Sequence, residues 1–198
     1  MNRQDEINKA AGQVLRDRMQ ENYFKIFAYY SDHKEEILSD LTQQISCMIN
    51  QAKIQQETQG KQPIQYVAAN FLLSSAITGS FDFKISLMDS LSFLDPIECC
   101  IYWSPKWIFA PAEDDKTNLW NQLRKEYVRL RPFELDTIWR IYIYAFYYSI
   151  TGMFFAENLK TAAINGGLAQ LDLIQETQFI FGGLMDRFAV IDTWERGA

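Results

Sequence analysis

The sequence holds a single histidine, His33, in 198 residues. Chemistry that needs a histidine pair or a multi-histidine metal site is therefore excluded within one chain. His33 opens a second helical stretch, where the helix dipole disfavours its protonation. Cysteine is scarce as well: Cys47, Cys99 and Cys100. An odd count with two adjacent members is no disulfide framework and fits a reducing, cytoplasmic compartment. No G-x-S-x-G, P-loop, G-x-G-x-x-G, H-E-x-x-H or C-x-x-C pattern occurs, so no cofactor is expected. Met1 to Lys9 lack the apolar core of a secretory signal. Net positive charge is missing too: the formal charge is −6 and the isoelectric point about 4.9. An acidic chain repels nucleic acid, and no nucleic-acid partner is expected.

Charge of either sign is absent from residues 62–81 and 141–156. The second gap is the centre of the chain's organisation, inside the stretch Glu134 to Glu157. As a helix it is apolar all round, which means a core helix or a membrane span. The gap makes ~24 Å of helix, short of the ~20 residues that cross a bilayer. Tyr142, Tyr144, Tyr147 and Tyr148 each carry a hydroxyl that needs a partner. Both points favour the core, so no membrane span is expected. At 100° per residue Ala145, Ser149, Gly152 and Ala156 share a narrow stripe that predicts close approach of another element.

What is present is apolar and aromatic, 48% and 15% of residues, which is ample for a core. Ile7, Ala11, Val14, Leu15 and Met19 repeat at helical spacing, as do Ile37, Leu41, Ile45 and Met48. A break at Ser31-Asp32 predicts an antiparallel helical hairpin over 3–60. The first charge-free stretch, 62–81, fits helix or strand, and its length favours helix. Phe81 to Leu87 alternates strictly, as a half-buried strand does. Leu91, Phe93 and Ile97 to Trp103 read as further strands. Glu113, Asp114 and Asp115 begin a helix whose end gathers Arg124, Lys125, Arg129 and Arg131, in the order that complements the dipole. Pro132 opens the central helix. Leu168 to Ile174 reads as a short helix, Thr177 to Phe181 as a last strand, and Arg187 to Ala198 carries little signal. The expected fold is α+β: a single domain over 1–198, predominantly helical. It has a mixed segment at 62–111, a small antiparallel β lobe at 80–110, a strand near 177–182 as a candidate addition to it, and a helical region over 113–198.

For function these residues point to a non-catalytic cytoplasmic protein that binds a partner protein or a small ligand. Trp103 and Trp107, with Tyr102, lie among prolines in a charge-poor segment and make a candidate recognition anchor. Arg140 and Tyr144 are candidates to line a ligand pocket; the structural alternative is that they close the core. The alternative function is an enzyme using Asp82, Asp89, Asp95 and Glu98, with or without a divalent metal. Turn and solvent-face carboxylates explain the same acids. Cys99 and Cys100 read as structural, because Glu98 beside them raises a thiol pKa. Homo-oligomerisation is left open.

Overall fold

Helical spacing over the first sixty positions gives a helix in a computed structural model that describes residues 3–127 and 129–195. Residues 196–198 of the weakly patterned end lie outside these. Helix α1 runs Arg3–Gln59 and leaves helical geometry only at His33, with φ −120° and ψ 15°. It is therefore a kinked rod, and the hairpin expected over 3–60 is corrected. No glycine or proline occurs between Gln13 and Gln59 to stop the backbone ladder.

Strand β1, Ile64–Phe71, follows, and then a single turn, α2, Ser75–Thr78. The helix expected over 62–81 is thus a strand. It is central, buried on both faces, and its continuous apolar run carries no alternation to reveal it. Strand β2 is Phe83–Met88, the alternating stretch, and β3 is Cys100–Trp103. Between them Ser92–Leu94 forms a 3-10 turn in place of the strand expected there. Helices α3, Lys106–Phe109, and α4, Ala112–Glu126, come next. Arg129 and Arg131 lie beyond α4 instead of at its end. Pro132 does open a helix: α5 spans Pro132–Tyr142, capped by the Glu134 carboxylate on the Arg131 N–H at 2.7 Å. A π-helical turn, Ile143–Tyr148, joins it to α6, Ser149–Asn165. The chain closes with β4, Leu173–Gly183, and β5, Phe188–Glu195.

The strands form one mixed sheet in the order β3-β2-β1-β4-β5. Only β1 and β4 pair in parallel; the other three pairings are antiparallel. The fold is α+β, but the sheet is more than a small lobe over 80–110. It recruits 64–71 and a C-terminal hairpin, and the strand expected near 177–182 lies within β4. Its inner face (Val67, Ala69, Phe83, Ile85, Leu87 and Phe179) joins the main core with α1 and α6. The outer face carries a smaller cluster of Ala68, Met88 and Ile180, flanked by Tyr66 and Phe93.

The π turn shifts the phase of the central helix. Ala145, Ser149 and Ala156 share a face, but it is turned to solvent, so the expected close contact with another element does not form. Gly152 alone meets a neighbour: a Cβ there would stand 2.9 Å from the Phe181 ring. Among the described residues no helix is long and apolar enough to cross a membrane.

Candidate functional site

Alternation places Tyr66, Ala68 and Asn70 of β1 on the outer face of the sheet. Beside them on β2 stand Lys84, Ser86 and Met88, with Asn70 directly opposite Lys84. On its other side Asn70 is opposite Gly182. The chain reverses over Gly182 so closely that a Cβ would lie 2.3 Å from the Arg187 carbonyl oxygen. The turn Leu184–Arg187 thereby roofs this corner of the sheet. Leu184 and Met185 of the turn, the segment 92–98 and the outward residues of β2 enclose a cleft of about 360 Å³.

One feature beside the cleft, which Asn70 does not itself line, and two within it set this corner apart. Asn70 is fully buried, and neither end of its amide has a hydrogen-bond partner among the described residues. Leaving such a group unmet costs roughly 1–3 kcal/mol, so an unpartnered amide here points to a partner supplied from outside the chain. Ser92 and Met185, on opposite walls, both have φ +56° without being glycine. Strain of this kind concentrates at functional sites. Finally, the lining mixes apolar groups (Met88, Phe93, Leu184) with charged and hydroxyl groups (Lys84, Ser86, Glu98), as small-molecule sites do.

The acids of the β region are largely engaged. Asp95 accepts from Lys61 Nζ at 2.5 Å and from the Ile97 N–H at 2.9 Å, with Lys61 wholly buried. Asp89 caps its own turn through the Leu91 N–H at 2.7 Å. Glu98 pairs with Lys84, which holds its carboxyl below the usual range. Asp82 is half-buried and flanks β2 without lining the cleft. Among the described residues no three of His, Cys, Asp and Glu converge to hold a metal. Cys99 is buried, its thiol donates to the Met48 carbonyl, and burial pushes its pKa up to about 11. Cys100 is raised by burial and then by Glu98.

The aromatic candidates are dispersed. Trp103 is 6% exposed, stacks on Phe154, and donates its indole N–H to Asp40 at 2.8 Å, so it is a core residue and no anchor. Trp107 is half-buried, stacked on Tyr30 with ring centroids 5.4 Å apart. Tyr102 is exposed on the edge strand β3. Arg140 and Tyr144 do come together, in a shallow depression with Leu73, Ile141 and Ala145.

The residue that sequence reasoning placed most differently is Asp115. It is 0% exposed. Its carboxylate accepts from Arg18 and Asn22 of α1, from Tyr142 at 2.8 Å and from Tyr147 at 2.7 Å. Two phenols five residues apart reach one oxygen because the π turn stacks i over i+5; an α-helix would set them about 140° apart. Burial, then the Asp115 charge and hydrogen bond, raise Tyr142 far above an ordinary phenol. Tyr147 is raised by burial first as well. With its oxygens saturated, Asp115 is a clasp between α1, α4 and the central helix and has no lone pair left for a substrate.

Neither protein-family models, curated proteins nor solved structures contain a match to this chain.

Proposed function

We propose that the chain is a non-catalytic cytoplasmic binding protein that takes a small ligand in the outer-face cleft. The observation that carries this is Asn70: an amide sunk in a central strand, with both donor and acceptor unmet, beside a polar-lined cleft. Its volume is at the small end of ligand pockets, which run ~300–1,000 Å³. A catalytic reading has less support. Asp95 and Asp89 are committed to local bonds, and His33 stacks on Tyr29 while its Nδ1 faces the Tyr29 carbonyl. The three free cysteines agree with a reducing setting.

Asn70→Val tests the reading. Replacing an unmet amide by an apolar β-former is expected to stabilise the fold by ~1–3 kcal/mol, while abolishing binding of fragments that shift the amide resonances of Lys84, Ser86 and Glu98. If Asn70→Val lowers the unfolding midpoint, or if a fragment screen never perturbs those resonances, the cleft is not a ligand site.

A second reading has its own observation. Leu73 and Ile141 are 49% and 57% exposed beside Arg140 and Tyr144. An apolar face of this kind suits a protein partner. A photo-crosslinker at Ala145 would then give a discrete adduct in cells that a crosslinker at Gln51 does not.

A further inference from the structure

Within the cleft only two charged groups are free to change partners. Lys61 is wholly buried and holds both Asp95 and the Ile97 carbonyl, at 2.5 and 2.6 Å. Asp95 also accepts from the Ile97 and Asp89 N–H groups. That leaves Lys84 and Glu98, hydrogen-bonded to each other. Their side chains differ in freedom: Lys84 is 16% exposed and Glu98 62%. Lys84 is thus a sunken cation, and Glu98 is an exposed anion that pairs with it and also touches the Cys100 thiol. Both are ionised near neutral pH. Burial works against the Lys84 charge, but Glu98 together with Cys100 and Tyr102 more than offsets it, so its pKa lies above that of an ordinary lysine.

We propose that the ligand is a small zwitterion, an α-amino acid with an apolar side chain. Its carboxylate replaces Glu98 on Lys84, within reach of Ser86, and its ammonium takes the displaced Glu98 carboxylate. The side chain lies against Met88, Phe93 and Met185. The selectivity follows from pairing. A simple anion would satisfy Lys84 and strand Glu98 beside it. A simple cation would draw Glu98 away and leave a sunken ammonium unpaired, which is costly. A zwitterion leaves neither charge unmet, and discrimination by unmet charge is how such sites reject near relatives. This inference rests on the cleft being the binding site.

The test uses calorimetry and NMR on the whole chain with leucine, N-acetylleucine (no ammonium) and leucine amide (no carboxylate). Leucine is expected to bind with shifts at Lys84, Ser86 and Glu98. Each blocked form should bind at least about tenfold more weakly, ~1.4 kcal/mol. Glu98→Gln and Lys84→Met should each cause a similar loss. N-acetylleucine binding the same residues as tightly as leucine would mean an anion site, and leucine amide doing so a cation site. Either result overturns the zwitterion and keeps the cleft. No cleft shifts with any of the three also overturns the zwitterion; the fragment screen and Asn70→Val then decide separately whether the cleft binds anything.

Discussion

At the scale of single residues, the buried polar groups divide into the satisfied and the unsatisfied. Asp115 belongs to the first kind. Tyr147→Phe removes one of its donors and is expected to cost ~1.5–3 kcal/mol, the usual worth of a hydrogen bond to a charged group. Denaturant titration of the variant measures it, and an unchanged midpoint would mean the phenol is dispensable to the clasp. The same phenols set an alkaline limit. Tyr142 and Tyr147 are raised, and Tyr148 is pushed up to about 12 by burial, despite its 2.7 Å bond to Ser75. The folded state keeps these protons where the unfolded chain releases them, from about pH 10 upward. The unfolded state then binds fewer protons, so stability is intact below about pH 10 and falls as pH rises towards the folded values. Urea midpoints at pH 9, 10 and 11 should fall in order, and less steeply in Tyr147→Phe. Little of this was legible. Asp115 reads as a helix-start carboxylate whether it is buried or not. Asn70 did leave a trace, as the one polar residue between Val67 and Leu73. That trace has meaning only once the run is known to be a strand covered on both faces.

At the scale of elements, the π turn decides which predictions hold. Ala145 is exposed, so Ala145→Leu is expected to stay within about 0.5 kcal/mol of wild type. Deleting Ala145 makes the two phenols i and i+4, about 40° apart on an α-helix, so both stay on the Asp115 side and the expected cost is ~1 kcal/mol or less. Gly152→Leu drives a side chain into Phe181 and is expected to cost ~1–3 kcal/mol. Thermal and urea melts of the three variants settle the ranking; a deletion as costly as Gly152→Leu would remove the phasing argument. Elements with local signals were legible: the alternating β2, the dipole-matched start of α4, the proline that opens α5, and the strand within β4. Those that depend on partners were not. β1 is central and shows no alternation. β5 lies where the pattern is faint, and a one-residue kink at His33 looks, in sequence, like the loop of a hairpin. An i+5 turn has no marker that a 100° wheel can show.

At the scale of the whole molecule, helices and sheet obey different clocks. Helical contacts are local and form within microseconds. The sheet cannot close until β1 meets β4, whose register partners lie about 110 residues apart, and non-local pairing is slow. Stopped-flow refolding is expected to show far-ultraviolet circular dichroism recovering ahead of tryptophan fluorescence, since Trp103 on β3 and Trp194 on β5 pack into the core that the sheet shares with the helices. Identical single-exponential kinetics for both probes would contradict this. During synthesis the delay becomes an interval of exposure. At ~5–20 residues per second, β1 waits roughly 5–20 s for its parallel neighbour, with one edge of its backbone unpaired. Its neighbour on the other side, β2, arrives almost at once. The nascent chain therefore spends those seconds as a half-built sheet with an open central strand, and the demand for a chaperone is concentrated in that window.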